Sequence, residues 1–360
     1  MANVPFFIRK NKSIGFAILQ PIIMKPIANP HNPFTSETRE LLGPAPAVTP
    51  QIFKEIAQSI LSHNDSPDLP FRWSLNPYRG CFHACAYCYA RPSHEYWGFG
   101  AGTDFESKLV VKINAATKLQ ESFLKPTWNG ELIVFSGNTD PYQPLEADYK
   151  LTRACLQICT TFRNPVGIIS KSALLSRDID VFQELQRTAW IRVFLSIPFA
   201  SDDVARKVEP QAPSISKRFA TMEALTKAGI PTAVSIAPVI PGLNEQDIPA
   251  ILSRAWDAGA QEATFILLRL NDNVEKVFVE RLTHHFPERI QKIMSRLKEV
   301  REGSVGEQTF FKRHHGQGTT WEVIAQLFEQ TYRKLGFPTV LEAPIPATFK
   351  RPGPTQLSLF

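Results

Sequence analysis

Six short apolar runs separated by helix-length segments constrain the fold of this chain more than any other feature. They fall at 71–75, 132–135, 166–169, 191–195, 232–236 and 264–268, each rich in β-branched or aromatic residues. Runs of this length and composition suit strands buried on both faces. The intervening segments carry helical stripes. In 146–162, Leu151, Cys155, Ile158, Cys159 and Phe162 fall on one face. In 215–228, Phe219, Met222 and Leu225 form another stripe, closed by Gly229 as a C-terminal cap before Pro231. A third stripe holds Ile248, Ile251, Leu252 and Ala255 and stops at Gly259. Strand–helix repetition means parallel strands joined by helical crossovers. Six units predict an α/β fold built on an open or partial (β/α)6 barrel, short of the eight that close a full one.

The rest of the chain reads differently. Residues 1–70 are rich in Pro and Asn with little periodicity and are expected to form an irregular N-terminal arm around the 71–270 barrel. After Leu270 the strand rhythm stops, and 271–345 reads as a basic helical C-terminal extension, with 288–301 and 320–335 helical. Residues 346–360 are expected to be a Pro-containing flexible tail. No run approaches the roughly 18 apolar residues of a membrane span. MANVPFFIRKNK lacks the pattern of a secretory leader, so a cytoplasmic, membrane-free protein is expected. The net charge is +6, and residues 281–360 hold 12 basic against 7 acidic side chains, which suits a polyanion partner or a solvated basic face.

Polar residues sit just past the ends of the expected strands: Asn76, then 136–140, Ser170 with Lys171, Ser196 and Ser235. Ligands of parallel α/β folds bind at that edge. The first of these loops holds three of the five cysteines, Cys81, Cys85 and Cys88, spaced C-x-x-x-C-x-x-C. Three thiolates from one loop can converge on one inorganic centre, either an iron–sulfur cluster or zinc. Zinc would need a fourth ligand, for which His83 and His94 are the candidates. A tight, odd cysteine cluster points to a reducing compartment.

The triad with an aromatic just before its third cysteine, here Tyr87, resembles the radical S-adenosylmethionine (SAM) superfamily. Further stretches are NPYRGCFHACAYCYARPSHEYWGFGAGTDFESKLVVK, SGNTDPYQPLEADYKLTRACL, SKSALLSRDIDVF, VEPQAPSISKRFATMEALTKAGIP and APVIPGLNE. They resemble a bacterial subfamily related to spore photoproduct lyase, over residues 65 to 336. The resemblance implies a radical SAM barrel in which Cys81, Cys85 and Cys88 ligate a 4Fe–4S cluster and SAM chelates its open iron. Reduction by an electron donor then cleaves SAM to methionine and a 5′-deoxyadenosyl radical that takes hydrogen from a substrate. It also implies that Tyr87 lies against the adenine and that Ser136, Asn138, Thr139 and Asp140 form the edge facing the SAM amino group. Asp140 is the candidate ammonium partner, and Lys171 and Ser196 match positions that hold the SAM carboxylate and ribose.

One departure bears on the substrate. The lyase quenches its product radical with a hydrogen-donating cysteine, whereas Cys155 and Cys159 lie on an apolar helical stripe and read as core. Tyr78, Tyr89, Tyr96 and Trp97 suit either stacking on a substrate or packing. The final residues Gln356, Leu357, Ser358, Leu359 and Phe360 resemble the pentapeptide by which bacterial polymerases and repair proteins dock on the sliding clamp. The leading expectation is a radical SAM enzyme acting on nucleic acid, in repair or modification. The alternatives are the same chemistry on a protein or small metabolite, and a zinc-stabilised nucleic-acid-binding module without catalysis.

Overall fold

The computed structural model describes residues 8–9, 29–30, 32–34, 38–39, 50–338 and 345–353. The six expected strands are all present, as β1 (Trp73–Leu75), β2 (Ile133–Phe135), β3 (Val166–Ser170), β4 (Ile191–Ser196), β5 (Thr232–Val239) and β6 (Glu262–Leu267). They pair in parallel and in strict sequence order from β1 to β6, as right-handed crossover units stacked side by side must. Their composition explains their place: the residues of β2 are all buried, and β3 and β5 each have one residue short of full burial. Leu61–His63 adds an antiparallel edge strand beside β1.

A second, three-stranded sheet is formed by Gln51–Glu55, Lys108–Lys112 and Tyr78–Arg79. Gln51–Glu55 and Leu61–His63 fall where an irregular arm was expected. Both are largely exposed and so carry no apolar run to betray them. The stripe from Leu151 to Phe162 lies on one helix, but the 146–162 segment is divided before it. Helices Glu146–Tyr149 and Leu151–Phe162 are separated by Lys150 at φ 53°. The Glu146 carboxylate accepts from the backbone N–H groups of Thr152 and Arg153, serving as the cap of the second helix. Cys155 and Cys159 are fully buried on that helix.

Beyond the barrel come helices Asn273–His285, Ile290–Glu299 and Gly318–Leu335. The last covers the outer face of β6, where Phe265 stacks on Trp321 and Phe328. The tail expected to be free from 346 is held through 351. Phe349 stacks on Phe162, Lys350 N–H donates to Phe162 O at 2.8 Å, and Arg351 donates to the carbonyls of Phe123, Lys125 and Trp128. Phe162 precedes β3, so this anchor lies at the N-terminal end of the sheet, opposite the ligand edge. The clamp-like residues 356–360 lie outside the described residues. Among the described residues no helix is long and apolar enough to cross a membrane.

Candidate active site

The cysteine loop leaves the C-terminal end of β1 and is fixed mainly through its own backbone. The Asn76 side chain accepts from Tyr78 N–H and donates to Thr139 O, turning the chain. Gly80 is required at φ 71°, since a Cβ there would stand 2.8 Å from Phe105 O. Ala84 also has a positive φ of 56°, and its carbonyl accepts from two guanidiniums. One is Arg91, fully buried, which donates to the carbonyls of Ala84, Cys85, Ala101 and Gly102 and pairs with Glu106 at 3.2 Å. The other is Arg281, which reaches in from the C-terminal extension to Ala84 O at 2.6 Å and to Glu106. Burial and the neighbouring Arg281 pull the Arg91 pKa down, and Glu106 opposes them.

All three cysteines of the loop are free thiols; Cys81 and Cys85 are buried and Cys88 is half-buried. Burial raises the Cys81 thiol well above its usual value, and the charges of Asp140, Cys85 and Cys88 add to this. Cys85 is pushed up to about 12, again by burial first and then by Glu209. The thiols therefore sense one another, and three bare thiolates would repel. A cationic centre bound by them removes that repulsion. Among the described residues no three His, Cys, Asp or Glu side chains gather about a single ion. The donor set is three soft sulfurs from one loop, which fits an iron–sulfur cluster with one position left for another ligand. His94 is not turned toward them, since its Nε2 lies 2.8 Å from Lys108 O.

The Thr-Asp-Pro-Tyr-Gln-Pro run past β2 cradles this loop. Gln143 donates to Gly80 O at 2.9 Å and accepts from Phe82 N–H at 3.2 Å. Thr139 Oγ1 donates to Tyr78 O, and Asn138 Oδ1 accepts from Ser93 Oγ. Ser136 N–H donates to Leu75 O, joining the edge to β1. Asp140 accepts at Oδ1 from Ser170 Oγ (2.7 Å) and Tyr142 N–H (2.9 Å). At Oδ2 it accepts from Lys171 N–H (2.8 Å), with His83 Nδ1 at 3.4 Å. Burial pushes this carboxyl up, but His83 and the donated hydrogen bonds outweigh it and hold the pKa at about 2. A carboxylate offers about four acceptor positions, and here the protein supplies a donor to each. Asp140 thus ties the β2 edge, the end of β3 and the cysteine loop together.

Lys171, Tyr87 and Ser196 meet around a residue that spacing did not single out. Glu209 is almost fully buried and accepts from the Tyr87 hydroxyl and from Arg218, itself 1% exposed. Arg218 also donates to Ser196 O at 3.0 Å. The Lys171 ammonium stands 4.0 Å from Glu209 and 5.8 Å from the centre of the Tyr87 ring. Burial raises the Glu209 pKa, and Arg218 opposes the shift. The signal for Glu209 and Arg218 lay in the VEPQAPSISKR stretch, but a charge gives no sequence sign that it will be buried. Tyr89, beside Cys88, donates to Gly137 O at 3.1 Å and is 53% exposed at the mouth.

Comparison with known proteins agrees with this geometry. The family model described as the radical SAM superfamily matches residues 75–255, which contain the cysteine loop and β2 to β5. An uncharacterised protein of Mycobacterium tuberculosis is 35% identical over 234 residues, covering 64% of this chain and 68% of that protein. A radical SAM Nalpha-GlyT isomerase of Pseudomonas phage M6 is 25% identical over 232 residues, covering 63% of this chain and 46% of the isomerase. Among solved structures, a spore photoproduct lyase variant with a dinucleoside spore photoproduct shares the fold. The TM-score is 0.52 at 15% identity, over 79% of this chain and 78% of the lyase.

Proposed function

This chain belongs to the radical SAM superfamily, and we propose that it cleaves SAM reductively at a 4Fe–4S cluster on Cys81, Cys85 and Cys88 and acts on nucleic acid. The observation that carries the first part is the loop itself: three free thiols on one loop at the ligand edge of the parallel sheet, close enough that the charges of Cys85 and Cys88 act on Cys81. When bound, the cluster and SAM supply the electron transfer and the hydrogen-abstracting radical. The protein's share is to hold and orient. Tyr87 would offer its ring to the adenine, Lys171 its ammonium to the SAM carboxylate, and Ser196 a contact to the ribose. Ser136, Asn138, Thr139 and Asp140 form the edge toward the amino group, with Asp140 shaping that edge through its four donors.

The substrate class is supported by two facts. The lyase sharing this fold was solved with a dinucleoside photoproduct, and residues 281–360 carry 12 basic against 7 acidic side chains. Carrying photoproduct repair itself over is not supported, because Cys155 and Cys159 are fully buried in the core and offer no hydrogen to a substrate in the mouth. The test is anaerobic incubation of the reconstituted protein with SAM deuterated at C5′ and defined oligonucleotides, followed by mass analysis. Exchange of label with an oligonucleotide is expected. Label confined to 5′-deoxyadenosine with every nucleic acid, together with transfer to a peptide or metabolite, would overturn the nucleic-acid reading.

A further inference from the structure

Arg269 lies just past β6, on the ligand edge, with its guanidinium 5.6 Å from the centre of the Tyr89 ring. Arg91, Arg218 and Arg281 each have carbonyl and carboxylate partners. Arg269 makes no hydrogen bond or ion pair to either among the described residues, and the carboxylate that acts on it, Asp68, is already paired with Arg313. A half-buried cation whose nearby carboxylate is shared with another arginine gains from a further anion supplied from outside the chain. Burial and Arg313 draw its pKa down, and Tyr89 and Asp68 oppose them.

The segment that follows the Ile290–Glu299 helix builds a rim beside Arg269. Leu270 N–H donates to Val305 O, Glu307 N–H to Asn271 Oδ1, and Leu267 N–H to His314 O. Arg301 donates to the carbonyls of Leu267, Leu268 and Arg313, which staples the rim to the strand end without adding a carboxylate. On the rim Arg313, held by Asp68, stacks 5.0 Å from the Phe310 ring, so an arginine–aromatic pair occurs twice around this edge. Phe310 and Phe311 remain 46% and 66% exposed. Open ring faces alternating with fixed guanidiniums suit a strand whose bases are unstacked and whose phosphates run alongside. A carboxylate ligand would satisfy Arg269 but leave the rings without a purpose.

We propose that this rim binds a single-stranded or locally unstacked nucleic-acid segment, with Arg269 on a backbone phosphate above Tyr89 and Phe311 under a base. Because Tyr89 adjoins Cys88, the phosphate is held next to the cluster loop, and the neighbouring nucleotide faces the mouth. The inference rests on the nucleic-acid reading of the active site.

The test is fluorescence anisotropy with the anaerobically reconstituted full chain and a fluorescein-labelled 12-nucleotide DNA, single-stranded and as a blunt duplex, across a salt series. The single strand is expected to bind more tightly than the duplex. Arg269→Met should weaken single-strand binding roughly tenfold and flatten the log–log salt slope by about 0.7, the share of one phosphate contact. Phe311→Ala should weaken binding roughly tenfold with the slope unchanged, as loss of a stacked base does. Phe311 is largely exposed, so that variant folds even if the arginine variant does not; Arg269→Lys, which keeps charge but loses the planar fork, should fall between. No binding of wild-type protein to either DNA at low salt would overturn the nucleic-acid reading and the rim with it. Wild-type binding that both variants reproduce in affinity and slope would overturn the rim alone. A duplex preferred over the single strand would overturn the unstacked-base assignment.

Discussion

Glu209 shows how far a buried charge can matter without being visible in sequence. It is joined to Tyr87 across 122 positions and to Arg218 across 9, so no local spacing could reveal the set. The cysteines were legible because their geometry is local: one loop, one spacing. Arg281 and Gln143 were not, because each reaches distant backbone, and Arg91 was not, because the carbonyls it binds carry no mark in sequence. Glu209→Gln keeps the volume and the contact to Tyr87 but leaves Arg218 buried without its counter-charge. Breaking such a pair costs about 3 kcal/mol, which urea unfolding should register. Calorimetry should show SAM affinity falling roughly tenfold as Lys171 loses its charged anchor; wild-type values in both measurements would remove Glu209 from its positioning role. Cys155→Ala is the contrasting case. It truncates a fully buried side chain and should cost about 1–2 kcal/mol, with iron content per chain unchanged. Loss of iron would show that Cys155 serves the cluster rather than the core.

Strands buried on both faces announce themselves, and the six strands and their order followed from apolar runs and crossover lengths. Gln51–Glu55 stayed hidden because it is an edge strand with four of five residues exposed. The break at Lys150 stayed hidden because it depends on Glu146 folding back to cap the next helix. The rim at 305–315 also lacked a pattern, being an irregular segment pinned by Arg301. It should nonetheless respond to pH. Burial, then Arg269 and Arg313, lower His314 to about 4. Between about pH 6.5 and that value the unfolded chain binds the proton and the folded one does not, so stability falls as pH falls through this window. The side chain is 19% exposed, which discounts the full linkage to about 1–2 kcal/mol. His314→Gln should therefore lose less stability than wild type between pH 7 and pH 4.5 in denaturant titrations. Identical losses would place the acid sensitivity elsewhere.

At the scale of the whole molecule, the barrel separates two faces. The mouth carries the cysteine loop, the Glu209 cluster and the rim, and the C-terminal extension closes it through Arg281. The opposite face holds the anchored residues Thr348, Phe349, Lys350 and Arg351. We propose that Gln356–Phe360 dock on a bacterial sliding clamp. A synthetic peptide of residues 354–360 should bind the clamp with about micromolar affinity, chiefly through Leu359 and Phe360. Absence of binding at high micromolar concentration would remove the clamp as a partner. The central claim is cluster-dependent cleavage of SAM, and it is tested most directly by quantifying 5′-deoxyadenosine and methionine from anaerobically reconstituted, reduced protein. About four irons per chain and equal, slow formation of both products are expected, with iron retention and turnover both lost in Cys81→Ala, Cys85→Ala and Cys88→Ala. Stoichiometric zinc with no iron uptake, or SAM cleavage that survives loss of these cysteines, would contradict it.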